Sequence, residues 1–407
     1  MRAAIVKLCA MEKKITTLSL STRTAFLEAS KIREVAELGM SMPNVIPLWF
    51  GEGAWPTPNH IVDTATSELK AGNHFYQPNN GRPSMRREIS HYTHRLYGTP
   101  VDPTRITVTA SGMQGLALVA QAIVSPKDRV VVIEPLWPNI AQVYKISGAD
   151  VHSVTLMPRV GRWYLDMEAL FSALTPETKA VIINSPNNPT GWVMSAQDQI
   201  ALLKHCRRLG IWVIADDVYA RLYRGANVAP SFQSLADEDD LFISINSFSK
   251  AWSMTGWRLG WINAPSYLEK TFAQLSEFNI AGPAGFVQAA GEVALRDGEA
   301  DIAKLGKRLS NAYAIAAQCL SEFNQVEFIE PEGAFYCFFK VAGVKDSVAL
   351  AKMLLRETGV GLAPGSAFGG AGEGYLRLCY AQECSTLTQA FDRLVHHLHA
   401  PSKRSGQ

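Results

Sequence analysis

The sequence predicts an α/β fold: a mostly parallel sheet with helices on both faces, joined to a smaller α+β unit. Three observations carry that prediction. Between about residues 104 and 263, short apolar runs alternate with helix-patterned stretches. Strands separated by helices form parallel sheets covered on both faces. After Gly260 the pattern changes to long helices, followed by strand, helix, strand and helix. The chain has 407 residues, 47% hydrophobic and 19% charged, which is enough for a large core and two domains.

An N-terminal helix is expected over about 24–38, packed with the smaller unit. Apolar runs then predict strands at 106–109, 130–133, 180–184, 212–215, 241–245 and 259–263. Helix-patterned stretches at 114–122 and 197–209 lie between them. A long helical region, 267–323, is broken at Gly282-Pro283, where glycine and proline cannot continue a helix. A strand at 334–341, a helix at 347–358, a Gly-rich loop at 365–374, a strand at 375–380 and a helix at 385–399 complete the smaller unit. The expected division is 50–295 for a large domain, with 1–49 and 296–407 together forming a small one. The tail, 400–407, is expected to fray.

Composition excludes several classes. The net charge of +2 gives no electrostatic case for nucleic acid. No apolar run reaches the length of a membrane span. Met1 to Ala10 is broken by Lys7 and lacks a signal-peptide core, and Met11 offers an alternative start. The cysteines (Cys9, Cys206, Cys319, Cys337, Cys379, Cys384) are scattered without a CxxC pair, which argues against zinc and disulfides. A cytoplasmic location is expected. His91 and His94, and His396, His397 and His399, lack carboxylate or cysteine partners at ligand spacing, so no metal is expected. The glycines of 370–374 precede a strand instead of joining strand to helix, so a dinucleotide loop fails its context.

Parallel sheets bind ligands beyond the carboxyl ends of their strands, so those ends are the informative places. Ser111-Gly112-Met113 follows the first strand and opens a helix, whose free N–H groups form a phosphate seat. Trp137 follows the second, where an aromatic can stack on a flat ring. The segment from Asn184 to Gly191 forms a tight turn carrying the Asn188 amide. Asp216 ends a buried strand, and its carboxylate needs a partner such as a protonated pyridine. Tyr219 lies one turn beyond. Lys250 follows the strand at 241–245 between small hydroxyl residues, a setting for a desolvated, reactive amine. Arg258 offers a fixed fork for an anion. A lysine beside a phosphate seat points to a Schiff base with pyridoxal phosphate. Singly, each has a bland reading: a helix start, a core tryptophan, a plain loop, an N-cap aspartate, a surface lysine.

Their order along successive strand ends is specific. With Pro186-Asn187-Asn188-Pro189-Thr190-Gly191, Ser247-Phe248-Ser249-Lys250-Ala251 and Gly256-Trp257-Arg258-Leu259-Gly260, the chain resembles the class I/II aminotransferases of PLP fold type I, the aspartate-aminotransferase-like family. The resemblance runs from about Ile32 to Tyr380. It implies an enzyme that moves an amino group between an L-amino acid and a 2-oxo acid by a ping-pong cycle, with pyridoxal 5′-phosphate held by Lys250. It further implies that Asp216 pairs with the pyridine nitrogen, Tyr219 and Asn188 approach the ring oxygen, and Trp137 stacks on the ring. Ser111, Gly112, Met113, Ser247, Ser249 and Arg258 would line the phosphate cup. Arg377, with Gly51, would hold the substrate α-carboxylate. Tyr76 matches a tyrosine that reaches the neighbouring subunit's phosphate, which implies a homodimer with shared active sites.

Two departures bear on substrate. Where the family often has Gly-Glu-Pro-Asp-Phe, this chain has Gly51-Glu52-Gly53-Ala54-Trp55, so Trp55 is expected to border the substrate pocket. Met113 stands where relatives that accept acidic substrates carry a lysine, and it makes an apolar wall. The expectation leans to neutral aliphatic or aromatic amino acids. A lyase, decarboxylase or oxidase would use the same cofactor residues, because fold does not determine reaction. A non-catalytic regulatory domain is the remote alternative.

Overall fold

The computed structural model describes residues 21, 23–25 and 27–398. The expectations for Met1 to Ala10, Cys9, Met11, His399 and 400–407 lie outside the described residues. Among the described residues the first helix, α1, spans Lys31–Met40 and begins later than the sequence pattern implies. Ser30 supplies the reason, because its side chain accepts the Arg33 N–H and caps the helix there.

The central sheet has seven strands: β1 (Ile106–Thr109), β2 (Arg129–Glu134), β3 (Asp150–Thr155), β4 (Thr178–Asn184), β5 (Trp212–Asp216), β6 (Phe242–Ser247) and β7 (Gly260–Asn263). Their order is β1-β7-β6-β5-β4-β2-β3. β6, β5, β4, β2 and β3 pair in parallel. β7 runs antiparallel to both of its neighbours. The six strands read from apolar runs are all present. β3 lacks a sequence signal because it is an edge strand, half exposed and mostly polar, with no apolar run.

Both faces of the sheet are covered, as a period of two requires. Val131, Ile133, Val181, Ile183 and Val213 pack to one side with the small-sheet residues. Val130, Val132, Ala180, Ile182 and Ile214 pack to the other, against Leu116, Leu118 and Val119 of α2 (Gly112–Ile123). Helix α3 (Ala196–Leu209) contributes Leu202, Leu203 and Cys206 to the first side. The long helical region resolves into α4 (Glu269–Asn279), α5 (Gly285–Asp297) and α6 (Glu299–Glu322), with an additional break at Gly298.

The smaller sheet is antiparallel, in the order β8 (Val326–Phe328), β9 (Tyr336–Val341), β11 (Tyr375–Cys379), β10 (Ala363–Pro364). Helices α7 (Ser347–Thr358) and α8 (Cys384–Leu398) pack with it, and α1 lies against α7. A short parallel pairing of Ile46–Pro47 with Val360–Gly361 ties the start of the chain to this unit. Among the described residues, no helix is long and apolar enough to cross a membrane.

Candidate active site

Parallel register brings the strand ends together. Asn184 of β4 stands opposite Asp216 of β5, and Asp216 opposite Ile245 of β6. The reversed strand β7 starts at the same edge, with Gly260 opposite both Ser247 and Thr109. A cavity of about 360 Å³ opens over this edge, reached on its far side by Gly51 and by Arg377 of β11.

At one end of the cavity the chain builds an anion seat. β1 runs into α2 through Ser111, whose side chain caps Gln114 N at 3.1 Å. Ser111 sits at φ 140°, ψ 162°, a conformation costly for a residue with a side chain. Its oxygen is committed to the cap and it stands behind the cavity wall, whereas Gly112 and Met113 line it. Ser247 ends β6 and accepts Ser249 N–H at 3.1 Å, which starts the short helix Phe248–Ala251. Phe248 and Ala251 turn into the core, leaving Ser247, Ser249 and Lys250 on the cavity. Arg258 also lines it, in the left-handed conformation at φ 57°.

The centre holds the titratable groups. Lys250 Nζ donates to Gly51 O at 2.6 Å. Burial pushes this amine down to about 8. Asp216 is 2% exposed, and its Oδ1 accepts one hydrogen bond, from Val218 N at 3.3 Å. Burial pushes its carboxyl up to about 7. Tyr219 is buried, with its hydroxyl 2.6 Å from that of Tyr336. Trp137 lines the wall, and its backbone N–H donates to Asn188 O at 2.9 Å.

Arg377 closes the far side. It is 2% exposed, donates from Nη1 to Asn188 Oδ1 at 2.8 Å and from Nη2 to Trp49 O, and leaves Nε without a partner. Its guanidinium lies over the Tyr336 and Phe368 rings at 4.4 and 4.8 Å. Because Asn188 Oδ1 is taken, its NH2 is left as the donor toward the cavity.

Two expected residues stand elsewhere. Trp55 does not line this cavity, which corrects its assignment to the substrate pocket. It is buried, its Nε1 donates to Glu383 Oε1 at 2.6 Å, and Arg308 covers its ring at 5.4 Å. Tyr76 is 91% exposed and away from the cavity of its own chain. Tyr336, Arg33 and Asn184 line the cavity without having been singled out. Tyr336 lies in an apolar run that reads as core, and Arg33 is a charged residue on a helix, ordinarily solvated. Asn184 lay inside a quoted motif; its Oδ1 accepts Asn188 N–H at 2.8 Å. Among the described residues, no group of three or more His, Cys, Asp or Glu could hold a metal.

The residues present fit pyridoxal phosphate. A buried carboxylate with a single backbone donor calls for a cation such as a pyridinium. The anion seat is kept narrow by Gly260, where a Cβ would stand 2.7 Å from Gly112 N.

Comparison with known proteins gives the same picture. The model of the family "Aminotransferase class I and II" matches residues 45–394. The aspartate aminotransferase of Pyrococcus horikoshii is 31% identical, over 92% of this chain and 96% of that one. Aromatic-amino-acid aminotransferase 2 of Thermococcus litoralis is 29% identical, over 93% and 97%. The solved aspartate aminotransferase of Thermus thermophilus with maleate superposes with a TM-score of 0.87 at 29% identity, covering 93% of this chain and 99% of that one. With its fold type I architecture and its Lys250 cavity, the chain belongs to the class I and II aminotransferases, which are pyridoxal-phosphate-dependent transferases.

Proposed function

We propose that this aminotransferase works by a ping-pong cycle on an L-amino acid with an aromatic or acidic side chain and a 2-oxo acid acceptor. The observation that carries the reading is the Lys250 amine, 2.6 Å from Gly51 O, in one cavity with Asp216 and Arg377. The names of the relatives, aspartate and aromatic, favour these side chains over the aliphatic ones of the sequence expectation. Met113 and Leu116 offer an apolar wall for a ring. Arg33, an exposed cation at the rim with no ion pair among the described residues, suits a distal carboxylate.

When bound, pyridoxal phosphate supplies the electron sink that makes the substrate Cα–H acidic. Asp216 would pair with the ring nitrogen and keep it protonated. Tyr219 and the Asn188 NH2 would donate to the ring oxygen, and Trp137 would cover the ring. Gly112 and Met113 N–H, with Ser247, Ser249 and Arg258, would hold the phosphate, while Ser111 caps the helix behind them. Arg377, helped by Gly51, grips the α-carboxylate and so fixes which Cα bond stands across the ring. The Lys250 amine, which burial pushes down to about 8, would take up the Cα proton. Tyr76 and Phe75, 91% and 75% exposed, support a homodimer in which Tyr76 completes the partner's phosphate site. We assign residues 50–295 to the large domain and 1–49 with 296–407 to the small one, in a cytoplasmic enzyme. The pairing of Ile46–Pro47 with Val360–Gly361 supports that grouping.

The test is a single half-reaction. Holoenzyme mixed with one amino acid and no acceptor should form oxo acid in one equivalent per site and then stop. Continued release of ammonia or carbon dioxide would replace this reading with a lyase, decarboxylase or oxidase. Run over a panel, it should rank aromatic and acidic amino acids above leucine and alanine.

A further inference from the structure

Tyr336 has no part in the scheme above, yet it touches three members of the site. It begins β9 and is fully buried. Its hydroxyl lies 2.6 Å from the Tyr219 hydroxyl. Its ring lies under the Arg377 guanidinium at 4.4 Å. Its oxygen is packed against Gly51, so closely that a Cβ there would stand 2.0 Å away. Gly51 O is in turn the acceptor for Lys250 Nζ.

The two tyrosines carry two protons and share one short contact, so only one of them donates across it. The Tyr336 hydroxyl has no other hydrogen-bond partner among the described residues. Both tyrosines line the cavity, but with Tyr219 placed at the ring oxygen its one proton is spent there, so the short contact is made only if Tyr336 is the donor. If Tyr336 donates, its proton is satisfied and the Tyr219 proton is free to point into the cavity.

We propose that Tyr336 is a positioning residue: its hydroxyl donates to Tyr219 and thereby aims the Tyr219 proton at the ring oxygen of the cofactor, while its ring seats Arg377. This rests on the proposed placement of Tyr219 at that oxygen. The chain thus sets the strength of the donor at the ring oxygen from the small sheet, two side chains removed from the cofactor. Tyr219 accepting a hydrogen bond is a stronger donor than Tyr219 alone, because bonds in a chain polarise one another.

The test is a pH titration of the visible absorbance of the lysine-bound cofactor, in holoenzyme without substrate. A donor at the ring oxygen favours the deprotonated form, so weakening it raises the midpoint. Tyr219→Phe removes the donor and should raise the midpoint most. Tyr336→Phe should raise it by about half to one pH unit, the size of one neutral hydrogen bond. The double variant should lie with Tyr219→Phe, because the Tyr336 hydroxyl then has nothing to aim. Phenylalanine keeps the ring under Arg377, so kcat should fall more than KM rises, whereas Tyr336→Leu should also raise KM for the amino acid. A Tyr336→Phe midpoint equal to wild type, beside a shifted Tyr219→Phe, overturns the proposal alone. So do additive shifts in the double variant. An unshifted Tyr219→Phe overturns the placement of Tyr219 beneath it, and the proposal with it.

Discussion

Replacing Gly260 with alanine puts the anion seat under direct strain. A Cβ at Gly260 would stand 2.7 Å from Asn246 O, 2.7 Å from Gly112 N and 2.8 Å from Ser111 C. All three are backbone atoms, so no rotamer change relieves the contact. Reaching ordinary contact requires β7 and the start of α2 to separate by roughly 0.7 Å, at about 1–3 kcal/mol for overpacking. Gly112 is the first residue of α2, whose free N–H groups face the cavity. If one charge-assisted hydrogen bond to the phosphate is lost, about 1.5–3 kcal/mol goes with it, or about 10- to 150-fold in affinity. The assay is titration of apoenzyme with pyridoxal phosphate, followed by absorbance and protein fluorescence. Gly306→Ala is the control, since it lies within α6 with nothing within 4 Å of its Cβ position. It should leave cofactor affinity unchanged and raise stability slightly, as alanine does in helices. The reasoning is refuted if Gly260→Ala binds the cofactor within twofold of the Gly306→Ala protein and melts with it.

Lys250→Ala should abolish external turnover while some cofactor stays bound noncovalently, visible as absorbance of the free aldehyde; near-wild-type rates would remove Lys250 from the chemistry. Arg377→Lys loses the fork that also holds Asn188 Oδ1 at 2.8 Å, so kcat/KM should fall by about 2–4 kcal/mol, roughly 30- to 1000-fold, as steady-state kinetics would record. Asp216 is held at about 7 by burial, above the 3.8 of an unfolded chain, so its folded form binds the proton more tightly. Its stabilising contribution is present below the unfolded value and is lost as pH rises through about 7. Apoenzyme carrying Asp216→Asn should therefore melt above wild-type apoenzyme at pH 8, with the gap narrowing toward pH 5; a pH-independent gap in scanning calorimetry would contradict this.

The fold was legible wherever a strand was buried on both faces. β2, β4 and β5 carry unbroken apolar runs at 130–133, 180–183 and 212–215, and the ligand edge follows from their direction. β3 lacks such a run and was invisible. Lys250, Asp216, Asn188 and Arg258 were legible because polar groups at buried strand ends stand out against their neighbours. Trp55 misled because closeness in sequence to Gly51 does not say which side of the chain faces the cavity; its indole turned to Glu383 and Arg308 instead. Tyr336 was hidden for the opposite reason. In Tyr336-Cys337-Phe338-Phe339 a hydroxyl adds little to an apolar pattern, and only the approach of β9 to Tyr219 gives it a partner.

The Arg377–Asn188 contact has a thermodynamic consequence for the holoenzyme. On the proposed roles one amide serves two ligands: its oxygen is held by Arg377, and its NH2 is left for the ring. Occupancy at either end that firms this amide lowers the cost of ordering it for the other, and such coupling is reciprocal by linkage. If the proposed roles hold, a carboxylate resting on Arg377 raises cofactor affinity by the same factor that the cofactor raises carboxylate affinity. On the proposed roles of Arg377 and Asn188, an unreactive carboxylate in the buffer should raise the affinity of apoenzyme for the cofactor, which a binding titration would read.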